Sequence, residues 1–412
     1  MHIYTAPVVV PIAGEPVRDG AVGVDDGRIA YVGPAADAPE AEATTAFSGV
    51  LTPGLVNAHT HLCYTGFADM HGNEKEFFEW IQEFARRNPA TADEEWKAAV
   101  QDGIDQCLAA GVTAVADVVT PAAAFEPLLA SDLAGVAYWE ACFIDESAWE
   151  ERRASWWATV TDTRAVNASD VAVGISPHTL YSVGTGVAKN LAELARTLDL
   201  RLHPHLAETL HEDMFVRRGS GPFAFMNRRI GLDLELAAGG AGHSPAQQMA
   251  KVNLLGADSH VAHGVHLDAE DRALLREQGT AVALCARSNA RLEAGEAPVA
   301  AHRAEGNPVA IGTDSRASAP DLDVAAEWPE LRRLALAQGD GGDGLNEWLV
   351  RAATEGGAKA LGRTDIGVIE VGARADLAVF DVDTEANPYA ALVSEAAGKC
   401  KATVVKGRLI EH

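Results

Sequence analysis

Eight times along its middle the chain repeats one pattern: a short apolar run, a polar end, then a long Ala/Leu-rich stretch of helical character. The runs are LTPGLVNAHTHL, VTAVADVVT, GVAYWEACFI, DVAVGISPHT, LRLHPHLAE, DSHVAHGVHL, TAVALCARSN and NPVAIGTDS. Stretches such as 187–198 and Ala269–Gln278 fall between them. Alternation of this kind reads as βα units, because parallel strands need a crossover connection. Eight units predict an α/β architecture, a (β/α)8 TIM barrel with a packed interior and its active site at the C-terminal ends of the strands. The two ends of the chain read differently. PVVVPIAGEP and GAVGVDDGRIAYVGP at the start, and GARADLAVFDVD and KATVVKGRLIEH at the close, are short strands broken by turns, with Asp25-Asp26-Gly27 as one turn signal. The termini are therefore expected to meet in a small β-sandwich domain, residues 1–52 and 367–412, around a barrel of residues 53–366.

Functional residues should then cluster where strand runs end. The first run ends in His59-Thr60-His61, and residues two apart on a strand share a face, so both imidazoles can reach one metal ion. The fifth ends in His205-Leu206-Ala207-Glu208. His205 supplies a third nitrogen, and Glu208 sits past the strand end, over the metal rather than bound to it. His203 shares the His205 face at greater depth and reads as a hydrogen-bonded core histidine. In the sixth run His263, just before Gly264, is assigned to the attacking water, while His260 and His266 read as structural or rim residues. The eighth ends in Gly312-Thr313-Asp314-Ser315, where Asp314 completes the ligand set.

His59, His61, His205 and Asp314, with one position left for water, describe a mononuclear hydrolytic centre in which Glu208, His263 and Asp314 carry the proton transfers. One divalent ion per chain is expected. Zinc comes first, and iron(II) suits the same donors. No lysine falls at a strand end, which argues against the bridging carboxylated lysine of a binuclear site.

Charge and cysteines narrow the partners. Lys plus Arg is 33 and Asp plus Glu is 59, a formal net charge of −26. Such a surface repels phosphate backbones and anionic lipid, so neither nucleic acid nor membrane is expected as a partner. Five scattered cysteines without a CxxC pair imply buried single thiols. The start lacks a cationic region before its apolar residues, and no apolar run approaches the ~18 residues of a membrane span. A soluble cytoplasmic protein is the expectation.

In these motifs the chain resembles the amidohydrolase superfamily: PGLVNAHTHL, SPHT, HLAET, HVAHGVHL, CARSN, IGTDS and GARADLAVFDV together cover nearly its whole length. It is similar in particular to the mononuclear aminohydrolase branch, which holds deaminases of nitrogen heterocycles and the chloro-triazine hydrolases. The resemblance implies zinc or iron on His59, His61, His205 and Asp314, a proton-transfer pair of Glu208 and His263, His178 in the substrate pocket, and Ser288 and Asn289 on the substrate. FFEWIQEF, SPHTLYSV, HLAETLHEDMF and CARSNARLE look closest to aminodeoxyfutalosine deaminases. Two departures stand out. S-adenosylhomocysteine deaminases place a ribose-binding glutamate after the first-strand loop, where this chain runs from Trp80-Ile81-Gln82-Glu83 into Arg86, Arg87 and Asn88. The usual proline before the Ser-Asn pair is also replaced, giving Ala286-Arg287-Ser288-Asn289.

The expected activity is hydrolytic release of ammonia from an amino-substituted nitrogen heterocycle, a small molecule. An adenine-containing compound with a distal carboxylate, such as aminodeoxyfutalosine, comes first. Arg86 or Arg87 would pair with that carboxylate, and Trp80 would stack on the ring. A solvated helix face beside Glu83 accounts for the arginines as well, and a buried helix face for Trp80. The alternatives are a purine, pterin, adenosine or S-adenosylhomocysteine deaminase, a triazine-type chlorohydrolase, and a non-catalytic scaffold on the same fold. A scaffold would be expected to have lost a ligand, and this chain keeps all four. Relatives of this kind are often homodimers, which is the expected assembly.

Overall fold

Five strands open the chain: β1 (His2–Val9), β2 (Val17–Asp25), β3 (Arg28–Pro34), β4 (Ala43–Ala46) and β5 (Val50–Pro53). Eight short strands follow in the middle: β6 (Leu55–Thr60), β7 (Val112–Val119), β8 (Ala134–Ala141), β9 (Val171–Pro177), β10 (His205–Leu206), β11 (His260–His263), β12 (Ala281–Leu284) and β13 (Val309–Ile311). Three close the chain: β14 (Leu377–Phe380), β15 (Cys400–Val405) and β16 (Arg408–Glu411). The computed structural model describes residues 1–71 and 77–412, without the Phe78 side chain.

The middle strands pair only in parallel, in two four-stranded sheets of order β6-β7-β8-β9 and β10-β11-β12-β13. Every residue of β6 and of β7 is buried, as expected for parallel strands covered on both faces. Isolated parallel bridges join the two sheets at both seams, Ile175 to Leu202 on one side and Thr60 to Asp314 on the other. The second seam needs Gly312: a Cβ there would stand 2.7 Å from the His59 Cβ. That close approach lets the amides of Thr313 and Asp314 both donate to the His59 carbonyl, at 3.1 and 3.0 Å. The expected helices between strands form, Thr185–Thr197 and Ala269–Gln278 among them. The fifth strand is shorter than the run LRLHPHLAE suggests, with a ladder of only His205–Leu206. Pro204 has no N–H to give to a ladder, and Leu202 keeps only isolated bridges.

Strands from both termini share one continuous sheet of order β16-β15-β14-β5-β1-β2-β3, with β4 also paired to β1. It turns back on itself, since Ile29 N donates to Ala373 O at 2.9 Å and Arg28 bridges Arg374. Tyr4, Val22, Leu51, Leu377 and Val404 pack in the core so enclosed. The Asp26-Gly27 turn between β2 and β3 has positive φ at both residues, 46° and 72°, the backbone of a two-residue hairpin. Among the described residues no helix is long and apolar enough to cross a membrane.

Candidate metal and active site

The polar residues singled out at the strand ends converge at one end of the parallel strands. A chain of hydrogen bonds from below sets their tautomers. His203 Nδ1 faces the His260 carbonyl at 3.0 Å, so it carries the proton and leaves Nε2 as an acceptor. That Nε2 lies 2.8 Å from His59 Nδ1, which therefore donates. The His59 Nε2 lone pair is left pointing into the site, buried and without a hydrogen-bond partner. His205 Nδ1 likewise faces the His178 carbonyl, at 3.3 Å, and its Nε2 stands 3.3 Å from His61 Nε2. Asp314 Oδ1 lies 3.6 Å from His59 Nε2 and 3.7 Å from His61 Nε2.

Burial lowers the pKa of His59 and His205, and carries His61 down to about 3 with help from His59, so the imidazoles are neutral. Burial alone would push Asp314 up, but His59, His263 and His61 outweigh it wherever one of them carries a proton, and then hold the carboxyl well below its usual range. Imidazole nitrogens and one carboxylate meeting around one point are the donor set of a divalent cation. The residues present fit such an ion.

Several of these groups are held from behind. Asp314 Oδ2 accepts from Ser288 Oγ at 2.6 Å and from Ser318 Oγ at 3.0 Å. His263 Nδ1 meets the Asn289 carboxamide oxygen at 3.0 Å, which turns its Nε2 toward Glu208 Oε1, 3.8 Å away. Burial pushes Glu208 up to about 7, against the pull of His263. The Glu208 loop is tied by Glu212, whose two carboxylate oxygens accept from the Ala207 and Glu208 amides at 3.0 Å each. Ala207, His263 and Asp314 all hold positive φ, at 51°, 73° and 61°, a strained choice for side-chain-bearing residues that concentrates at functional sites.

Above this floor opens a cavity of about 790 Å³, lined by His61, His205, Glu208, His263 and Asp314 below and by aromatic side chains, Tyr64, Phe77, Trp80, Phe84, Trp96, Phe143 and Tyr181, around its walls. His178 lines it with Nδ1 on Ser182 Oγ at 2.8 Å, and Trp80 lines it with Nε1 donating to the Ala317 carbonyl at 3.1 Å.

Other expectations need correction. Ser288 and Asn289 are not in the cavity wall; they are buried behind it, positioning Asp314 and His263. Arg86 and Arg87 do not reach the cavity either. Arg87 forms a two-point pair with Asp69 at 2.7 and 2.6 Å and also bonds Glu83 at 2.8 Å, while Arg86 pairs with Glu83. Acidic neighbours on the same outer face hold both guanidinium groups away from the site. The arginine that does line the cavity is Arg152, on the helix Glu146–Val166, and among the described residues its guanidinium has no ion-pair partner.

Sequence reasoning passed over Glu212, Ser318, Arg152 and Glu140. Only Glu212 had a signal. Thr209-Leu210-His211-Glu212 has the form of a helix capping box. Thr209 does cap the helix Leu210–Arg218, accepting from Glu212 N, but the Glu212 side chain reaches back to the Glu208 loop instead of the cap amide. His260 and His266, expected as structural or rim residues, place their Nε2 atoms on the carbonyls of Ala58 and Ala294 at 2.9 and 2.7 Å. Arg287, in the place of the usual proline, bonds Glu327 through Nε at 2.6 Å and Asp321 at 2.8 Å, anchoring the helix Ala286–Arg291 that carries Ser288 and Asn289.

The amidohydrolase family model matches residues 50–410. The chain belongs to the amidohydrolase family. It is 36% identical over 393 residues to a 5-methylthioadenosine/S-adenosylhomocysteine deaminase of Halobacterium salinarum, covering 89% of this chain and 81% of that one. It is 32% identical over 326 residues to an aminodeoxyfutalosine deaminase of Deinococcus radiodurans, covering 76% of this chain and 73% of the other. A crystal structure of an adenosine deaminase from Xanthomonas campestris with bound zinc superimposes with a TM-score of 0.85 at 26% identity, over 99% of this chain and 92% of that one. The fold of this amidohydrolase is accordingly of the TIM-barrel type with an extra domain. The chain is a hydrolase of carbon–nitrogen bonds in cyclic amidines, a hydrolytic deaminase.

Proposed function

We propose that this amidohydrolase removes the amino group of an adenine ring, using one divalent ion, zinc first, held by His59, His61, His205 and Asp314. One observation carries the reading: three imidazoles and a carboxylate converge beside Glu208 and His263 on the floor of an aromatic cavity. When bound, the ion supplies a Lewis acid that activates water at neutral pH. His263 Nε2, its other nitrogen occupied by Asn289, takes up the proton of the attacking water. Asp314, held ionised by its neighbours, is the second acceptor beside it. Glu208, with its pKa pushed to about 7, gives its proton to the ring nitrogen next to the amino-bearing carbon; the proton taken from the water by His263 and Asp314 passes to the amino group, which leaves as ammonia, and the proton of the newly added hydroxyl returns to Glu208 as the carbonyl forms. His178 and Trp80 hold the ring.

The substrate reading follows the relatives whose names describe methylthioadenosine, S-adenosylhomocysteine and aminodeoxyfutalosine. Arg152, the cation in the cavity wall, takes the distal carboxylate that Arg86 and Arg87 cannot reach. On the same reading the parallel strands close into a (β/α)8 barrel of residues 53–366, supported by the bridges at both seams, and the curled terminal sheet is a β-sandwich domain of residues 1–52 and 367–412.

A coupled ammonia-release screen with purines, pterins, pyrimidines, triazines and aminodeoxyfutalosine tests the proposal. Ammonia from an adenine compound, fastest with a distal carboxylate and slowed in Arg152→Ala for that compound above others, is the expected result. Chloride release from a triazine without ammonia from any adenine compound would overturn it.

A further inference from the structure

One strongly polar group in the cavity is left over by this chemistry. Glu140, near the end of β8, is only 9% exposed and lines the cavity among many aromatic side chains. A directed hydrogen-bond chain leads to it along the wall. Asn88 Nδ2 donates to Tyr64 Oη at 3.0 Å, Tyr64 to Thr120 Oγ1 at 3.1 Å, and Thr120 to Glu140 Oε2 at 2.8 Å. All four residues line the cavity. Among the described residues Glu140 Oε1 has no hydrogen-bond partner, and no cation pairs with the carboxylate. A buried carboxylate without a cation is costly and calls for donors on every free lone pair. Here the free oxygen faces the space a substrate fills. One of its carboxylate oxygens and a ring nitrogen from each of His178 and His205 lie within 4.8 Å of one another, so the group stands beside the reacting centre.

We propose that Glu140 is a specificity-determining subsite that accepts a hydrogen bond from a donor on the non-reacting part of the substrate. It is distinct from the proton-transferring Glu208 and from the cationic Arg152. The donor is an O–H or N–H group: a sugar hydroxyl attached to the ring, or an amino group on the ring edge. An acidic side chain bonding ribose hydroxyls beside a nucleotide base is a familiar pairing, and a carboxylate receives an amino group equally well. The aromatic walls hold the ring by its faces, so this contact would select among rings that stack alike. The inference rests on the deaminase reading of the site.

The test compares kcat/KM of wild type, Glu140→Gln and Glu140→Leu on adenosine, 2′,3′-dideoxyadenosine and 2-aminoadenosine, with metal content measured in each. Gln keeps an acceptor for Thr120, so its fold and cavity wall should survive even where Leu disturbs them. Wild type is expected to favour one donor-bearing compound over its donor-poor counterpart by about 10- to 150-fold, the range of one charge-assisted hydrogen bond. Both variants should shrink that ratio while keeping their metal. Collapse of the adenosine/dideoxyadenosine ratio identifies the hydroxyls as the donor, and collapse of the 2-aminoadenosine/adenosine ratio identifies the ring amine. Equal kcat/KM across the compounds in wild type, or ratios unchanged in both variants, would overturn this inference while leaving the deaminase reading intact. Two zinc ions per chain, one of them lost in Glu140→Leu, would also overturn it, assigning Glu140, His178 and His205 to a metal. Absence of ammonia from every compound, these and the wider screen alike, would overturn both.

Discussion

Arg287 and Arg87 show how the floor of the site differs from its mouth. Arg287 lies under the floor and bonds Glu327, a fully buried carboxylate, through side chain and backbone. Arg87 lies outside the mouth and pairs with the half-exposed Asp69. Both contacts are short, but they differ in consequence. Removing one member of a buried pair strands a charge where water cannot reach it, while an exposed pair gives its members back to solvent. The same contrast runs through the whole site. Most groups on the floor have a partner that fixes their orientation: His203 for His59, Ser288 and Ser318 for Asp314, Asn289 for His263, Glu212 for the Glu208 loop. The cavity wall presents aromatic faces, Glu140 and Arg152, whose guanidinium has no ion-pair partner among the described residues. Such a division suits an enzyme whose chemistry is constant and whose specificity is set separately.

The difference between floor and mouth is largest at Arg287. Arg287→Ala should destabilise the protein by about 3–5 kcal/mol, the cost of orphaning a buried partner. Denaturant unfolding of the two proteins reads this directly, and a loss no larger than at an exposed site would erase the distinction. Glu208→Gln should keep its metal and lose at least ~10²-fold in kcat, the low end for general acid–base catalysis. Elemental analysis beside steady-state kinetics checks both halves, and near-normal turnover would remove Glu208 from the proton transfer.

His203→Phe removes the acceptor that orients His59. Partners behind metal ligands typically contribute 10- to 100-fold in affinity, so a zinc-competition titration should show a loss of about that size, partly restored in His203→Gln. The smallest effect belongs to the mouth. Arg87→Ala should change stability by no more than about 1 kcal/mol. It should also leave the preference for carboxylated over plain adenine substrates unchanged, which a kcat/KM comparison would show.

What could be read from the amino-acid sequence divides along the same line. The convergence of His59, His61, His205, His263 and Asp314 was legible because the ends of neighbouring parallel strands bring residues together by position alone, whatever surrounds them. The paired parallel sheets were legible from the apolar runs for the same reason. Ser288, Asn289 and Arg87 were misplaced because nothing local says which way a side chain turns. Ser288 is a hydrogen-bond donor wherever it lies, and only the packing of the helix Ala286–Arg291 directs it to Asp314 rather than to the cavity. Arg152 and Glu140 carried no motif at all; they become visible only when helix and strand bring them to one wall. The shortened fifth strand was readable in principle, since Pro204 stands in the run.

The proposed deamination depends most heavily on a single divalent ion held by three histidines and Asp314. Stepwise zinc addition to metal-stripped protein, with ammonia release followed at each step on the best substrate of the screen, tests this most directly. Activity should rise linearly and level off at one equivalent per chain, and His59→Ala should neither retain the ion nor gain activity. A plateau at two equivalents, or full ammonia release by the stripped protein, would contradict it.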